Sequence, residues 1–143
     1  AKDWRWPVRL VEFVSCFSFP HSKEADMSHP DSPYGLSDAQ YDAAIRSALS
    51  RIESTVDRWL EEDVVDIDTA RTGGMLTMTL PNRSQLIVNA QPPLHELWLA
   101  ARRGGFHFRL DGEGLWRDTR SGDEFFALLS ACASEQSKPG LTF

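Results

Sequence analysis

An α+β two-layer sandwich is the fold class this sequence predicts: an antiparallel sheet of about six strands with N- and C-terminal helices packed on one face. Three observations predict it. A stretch with apolar residues every third or fourth position comes first, and a second such stretch closes the chain. Between them, residues 65–118 alternate in steps of two. The turns that interrupt this alternation are of hairpin length, which makes neighbouring strands antiparallel and leaves one face of the sheet for both helices. With 143 residues, of which 41% are hydrophobic and 25% charged, the chain is long enough for one domain with its own core. It contains no internal repeat.

Residues 1–36 differ from the rest. Trp4, Trp6 and a Phe-rich run are followed by Pro20, His21, Ser28, His29, Pro30, Asp31, Ser32 and Pro33, a mixture expected of a flexible N-terminal extension. Met27-Ser28-His29 would make a natural translation start, which leaves open whether residues 1–26 are native. The folded domain is expected over residues 37–143.

Ser37 or Asp38 can cap the first helix, because their side-chain oxygens accept from free N–H groups of the first turn. Tyr41, Ile45, Ala48, Leu49, Ile52, Val56, Trp59 and Leu60 then form one apolar stripe on a helix ending near Glu62. Val65-Asp66-Ile67-Asp68 begins the strand pattern, and Gly73-Gly74 turns the chain. Leu76, Met78 and Leu80 point inward; Pro81-Asn82-Arg83 turns again; Leu86 and Val88 continue the inward face, with Gln85, Ile87 and Asn89 outward. After Gln91-Pro92-Pro93, Leu97 and Leu99 face in and Trp98 out; after Gly104-Gly105, Phe106 and Phe108 face in, His107 and Arg109 out. A short strand near Leu115–Asp118 ends the sheet. Ser121-Gly122-Asp123-Glu124 opens the last helix, Phe125, Leu128, Leu129 and Cys132 make its buried stripe, and Lys138-Pro139-Gly140 stops it.

The formal charge is −6, and its position matters more than its size. Residues 37–68 hold nine acids against three arginines, so that window carries the whole excess. A nucleic-acid surface is disfavoured, since it needs net positive charge to displace counterions; cations and basic protein surfaces are favoured. No run of residues is apolar for long enough to span a bilayer, and the two cysteines make no disulfide framework: Cys132 falls on an apolar helix stripe as a free buried thiol, and Cys16 lies in the extension. A cytoplasmic protein without membrane attachment is the expectation.

Several separated motifs resemble the frataxin family, in its bacterial branch. Asn89-Ala90-Gln91-Pro92-Pro93-Leu94-His95-Glu96-Leu97-Trp98-Leu99-Ala100-Ala101 is similar to the family signature. Gly104-Gly105-Phe106-His107-Phe108 follows at the bacterial spacing, and Trp116-Arg117-Asp118 with Ser121-Gly122 and Phe125 fits the last strand and the entry to the second helix. The resemblance runs from about Ser37 to Gln136. It implies a frataxin-like sandwich that binds iron (Fe2+ or Fe3+) on acidic residues of the first helix and first strand. It also implies two partners, a cysteine desulfurase and an iron–sulfur scaffold protein, and a regulating rather than enzymatic role. Carried over by position, the acidic ridge comprises Glu53, Asp57, Asp66 and Asp68. Ser54 and Arg58 stand where relatives often place acids, and the longer helix-to-strand connection adds Glu61, Glu62 and Asp63, which shifts the ridge toward the helix end.

The residues themselves say what such a ridge could do. Glu53, Asp57 and Glu61 are spaced by four and line one side of the helix, while Asp66 and Asp68 share a face of the strand that follows. Crowded carboxylates repel, and a bound cation relieves the repulsion through hard oxygen ligands. Without Cys or His the site would be open, weak and modestly selective; the alternative for such a run is a plain solvated acidic face. Glu53, Asp57, Asp66 and Asp68 could equally steer a basic partner. Trp98, beside Asn89 and Gln91, reads as an interface anchor toward the scaffold. His95 and His107 read as polar surface residues, Trp59 and Trp116 as packing residues. A ferroxidase or an iron-storage or iron-delivery protein is the alternative function, but the paired Glu and Glu-x-x-His helix elements of a di-iron site are absent. A monomer is expected.

Overall fold

The structure, a computed structural model, describes residues 36–143. The extension expected up to residue 36, apart from Leu36 itself, lies outside the described residues, as does Cys16. The elements run α1 (Asp38–Glu61), β1 (Asp68–Thr72), β2 (Met75–Thr79), β3 (Gln85–Gln91), a 3-10 turn (Pro92–Leu94), β4 (Glu96–Ala101), β5 (Gly104–Leu110), β6 (Trp116–Asp118) and α2 (Phe125–Gln136). The six strands form one antiparallel sheet in sequence order, the meander that hairpin-length turns dictate.

Helix α1 starts at a reciprocal cap. The Ser37 hydroxyl accepts from the Gln40 N–H at 3.1 Å, and the Gln40 side chain accepts from the Ser37 N–H at 2.9 Å. Its buried stripe is Tyr41, Ile45, Ala48, Leu49, Ile52, Val56 and Trp59. Leu60, expected in that stripe, is 56% exposed. Trp59 already occupies the core at this end of the helix, and its neighbour in sequence turns 100° away. Helix α2 is capped by Glu124, whose carboxylate accepts from the Phe126 and Ala127 N–H groups. Phe125, Leu128, Leu129 and Cys132 are buried as expected, and the Cys132 thiol is free. Burial raises its pKa to about 11, so it is an inert core group rather than a nucleophile.

The inward side chains of the sheet, Leu76, Met78, Leu86, Val88, Leu97, Leu99 and Phe108, are fully buried in one core with the two helices. Phe108 meets Phe125 edge to face at 5.1 Å. Trp59 and Trp116 are buried packing residues. Gln136 ties the end of α2 to two hairpins: its amide nitrogen donates to Ser84 Oγ, and its carbonyl accepts from the Arg102 N–H at 2.6 Å. Among the described residues, no helix is long and apolar enough to cross a membrane.

One boundary differs from the sequence pattern. Strand β1 begins at Asp68, so Asp66 lies in the extended approach to it rather than on the strand. The approach still alternates, with Ile67 buried between exposed Asp66 and Asp68. A strand needs a hydrogen-bonding neighbour, and the register of β2 ends opposite Asp68, at Thr79.

Candidate functional site

Two surfaces carry the polar chemistry, one at the C-terminal end of α1 and one on the sheet face turned away from the helices. The first is the acidic ridge. Asp57, Glu61, Glu62, Asp63, Asp66 and Asp68 are all exposed, and Glu53 is half-buried. The helix closes with paired bonds, Asp63 N–H to the Leu60 carbonyl at 3.1 Å and Val64 N–H to the Trp59 carbonyl at 2.8 Å. That closure puts Asp63 at φ 60°, the left-handed position glycine takes most easily. An acid stands here at some cost in backbone strain, and the chain then turns into Asp66 and Asp68.

The ridge is not uniformly free. Glu53 Oε1 accepts from Arg71 Nη1 at 2.8 Å, a bond that fastens edge strand β1 to the helix. Arg71 is eighteen residues away in sequence, so the helical spacing of Glu53, Asp57 and Glu61 gave no sign of it. Lys138 Nζ reaches the Val64 carbonyl at 2.9 Å beneath the ridge. Among the described residues no group of three or more His, Cys, Asp or Glu converges as a metal-holding set. The exposed carboxylates have the donor chemistry of a hard cation's ligands, but they are not gathered into a cage.

The second surface is built by register. Asn89, Trp98 and His107 lie in one row across β3, β4 and β5; Gln91, Glu96 and Arg109 lie in the next. Trp98 is half-buried, and its ring stacks on His107 with centroids 4.1 Å apart and planes 4° apart. The indole Nε1–H donates to Glu96 Oε1 at 2.8 Å, and Arg109 Nε donates to Glu96 Oε2 at 3.1 Å. His107 Nδ1 is 3.8 Å from the same Oε1. Burial holds the His107 pKa below the ordinary 6.5, against the pull of the Glu96 carboxylate.

Asn89 and Gln91, expected beside Trp98, share its face of the sheet but are only 3% and 2% exposed. Large cross-strand neighbours cover them: Asn89 is opposite Trp98 and Gln91 is opposite Glu96. Asn89 Nδ2 and Gln91 Oε1 are buried without a hydrogen-bond partner.

The two histidines are more than surface polar groups. His95, at φ 53°, stacks on Tyr41 at 4.8 Å and lies 2.7 Å from Asp38 Oδ1, joining the corner before β4 to the start of α1. Tyr41 donates its hydroxyl to the Glu96 carbonyl at 2.6 Å, and burial pushes the phenol pKa well above 10. Sequence reading missed Glu96 as an organiser. Its spacing of two from Trp98 was the available signal.

A family model described as a frataxin-like domain matches residues 34–139. The chain belongs to the frataxin family. The iron-sulfur cluster assembly protein CyaY of Polaromonas sp. (strain JS666 / ATCC BAA-500) is 48% identical over 108 residues, 76% of this chain and 92% of that protein. The CyaY of Paracidovorax citrulli (strain AAC00-1) is 44% identical over 108 residues, 76% of this chain and 97% of its own. Among solved structures, a frataxin from Psychromonas ingrahamii is similar with a TM-score of 0.58 at 36% identity, covering 71% of this chain and 95% of that one. A trimeric yeast frataxin from Saccharomyces cerevisiae, complexed with ferrous iron, shares the fold at 20% identity, with a TM-score of 0.55 and coverage of 87% of this chain and 95% of that one. The frataxin-family sandwich expected from the sequence is thus the fold observed, and the two surfaces belong to it.

Proposed function

We propose that this frataxin-family chain is a non-enzymatic, cytoplasmic regulator and adaptor of iron–sulfur cluster assembly. It carries iron weakly as cargo and meets a cysteine desulfurase and a scaffold protein through its two polar surfaces. The observation that carries this reading is the unbroken exposure of carboxylates from Asp57 to Asp68, including an acid at the left-handed helix terminus. Its relatives in Polaromonas and Paracidovorax bear the name of iron–sulfur cluster assembly proteins, which supports the same reading.

Iron contacts are assigned to Asp57, Glu61, Glu62, Asp63, Asp66 and Asp68, with Glu53 contributing through its second oxygen while Oε1 accepts from Arg71. Exposed carboxylates remain hydrated until a cation arrives, so each contact is weak and exchange is fast. The same field, with Glu53, Asp57, Asp66 and Asp68 at its centre, attracts a basic patch on the desulfurase, and salt weakens that attraction. Trp98, with Asn89 and Gln91 beneath it, is the anchor for the scaffold. The protein acts as a monomer.

The test is a cluster-assembly assay with desulfurase and scaffold, run with and without this chain over a range of iron concentrations. A change in rate that depends on iron is the expected result; an unchanged rate at every concentration overturns the reading. Reversal of Glu53, Asp57 and Asp66 to Lys abolishes desulfurase capture at low salt, and Trp98→Ala weakens scaffold capture.

A further inference from the structure

Glu96 sits at the centre of the sheet face and has no part in the reading above. It is a carboxylate on the face away from the helices, yet it is only 6% exposed. Oε1 accepts the Trp98 indole and Oε2 accepts Arg109, while His107 Nδ1 stands 3.8 Å from Oε1, too far for a hydrogen bond. A carboxylate has about four lone-pair sites, so Oε1 can take a second donor without losing the first. A neutral imidazole has one weak reason to close that gap, an uncharged donor in its Nδ1–H tautomer. An imidazolium has two: it is a charged donor aimed at an anion, and a cation stacked on an indole.

We propose that Glu96 is the positioning residue of this face: it fixes the Trp98 indole in one orientation, and His107 tightens that grip when it takes up a proton. The inference rests on the reading of Trp98 as the scaffold anchor. What a partner would meet is then a tryptophan whose direction is already set, so less rotamer freedom is lost on docking. Groups from both neighbouring strands act on His107. Glu96 on β4 and Asp118 on β6 favour the proton, whereas burial and Arg120 after β6 oppose it. Glu96→Gln removes the charge at nearly constant shape: its one carbonyl oxygen still accepts from the Trp98 indole, while its NH2 no longer accepts from Arg109.

The experiment follows the His107 ring and the Trp98 indole N–H by NMR in the full chain, from about pH 5 to 8. Wild type, Glu96→Gln, Glu96→Ala and His107→Phe are compared. In wild type the indole resonance moves with the His107 titration, and in His107→Phe it does not. In Glu96→Gln the indole stays bonded while the His107 midpoint falls; in Glu96→Ala the indole N–H exchanges with water. An equal His107 midpoint in wild type and Glu96→Gln, or an indole signal unaffected by Glu96→Ala, overturns the proposal.

A second arm measures scaffold capture at neutral pH by variants shown to be folded at that temperature. Glu96→Gln binds as wild type and Glu96→Ala binds about tenfold more weakly, a loss of about 1.4 kcal/mol. Equal binding by the two overturns the positioning role in docking. If wild type itself captures no scaffold, the docking reading fails, and the NMR comparison alone decides whether Glu96 positions Trp98.

Discussion

The acidic ridge and the outer sheet face use the same functional group in opposite ways. On the ridge, six carboxylates between Asp57 and Asp68 stand exposed. On the sheet, one carboxylate, Glu96, is buried and organises three neighbouring side chains. Water stabilises each exposed acid about as well as a protein partner could, so the ridge costs little per residue and stays available for a cation. Glu96 has given up that hydration, and its hydrogen bonds must replace it. A carboxylate free to bind is therefore a poor structural element, and one that builds structure is a poor ligand. Glu53, held by Arg71 yet still partly exposed, lies between the two.

The sharpest break of this comparison is truncation. Glu96→Ala removes the carboxylate that the Trp98 indole and Arg109 Nε both donate to, and should destabilise the protein by about 2 kcal/mol. Asp57→Ala, at an exposed position with no such partners among the described residues, should change stability by less than about 0.5 kcal/mol. Urea unfolding of the two variants checks this directly. Equal losses would mean that Glu96 is no more structural than the ridge.

The next effect is smaller and depends on pH. The His107 pKa is below 6.5 in the folded state because burial disfavours the charged ring. In the window below 6.5 the unfolded chain therefore binds more protons than the folded one, and stability rises with pH there. The contribution is fully present above pH 6.5 and is lost as the pH falls toward the folded value. The difference in melting temperature between His107→Phe and wild type should accordingly change across this window, in favour of the variant at acid pH. A constant difference from pH 7.5 down to about pH 5 would show that His107 titrates alike in both states.

How much of this was legible in the sequence follows from the range of the interactions. Both helices, the antiparallel meander and the inward rows from Leu76 to Phe108 could be read because periodicities of 3.6 and 2 are local properties. The exposed run of acids was equally plain. The fate of Leu60 was not, because two adjacent apolar residues compete for one core position and only packing decides between them. Nor was the start of β1, which is set by where β2 ends. The pairing of Glu53 with Arg71, the stack of Trp98 on His107 and the burial of Asn89 and Gln91 all arise between strands or between strand and helix. No period within one segment encodes them.

A test on the ridge itself concerns Asp63. At φ 60° this residue occupies the left-handed terminus of α1, where a side chain is strained and glycine is not. Glycine there relieves the strain but also gains freedom in the unfolded chain, so Asp63→Gly should stabilise the protein by only about 0.5 kcal/mol. If Asp63 contributes to iron binding, the same change should weaken it. A stability gain with iron binding unchanged would remove Asp63 from the ligand set and leave it as a helix terminus only.

The smallest expected effect tests whether the ridge acts as a field. Asp57→Asn, Glu61→Gln and Asp66→Asn each remove one charge from a crowded negative surface and break no ion pair seen among the described residues. Relief of repulsion between exposed charges is worth a few tenths of a kcal/mol per site at low ionic strength. The triple variant should thus melt slightly higher than wild type in dilute buffer. At about 1 M salt, where the screening length falls to about 3 Å, the two should coincide. Glu53→Gln should behave differently, because it gives up the bond to Arg71 as well as a charge, and so should gain nothing at low salt. If the triple variant is instead less stable than wild type at every salt concentration, these acids hold the fold together, and the contrast with Glu96 disappears.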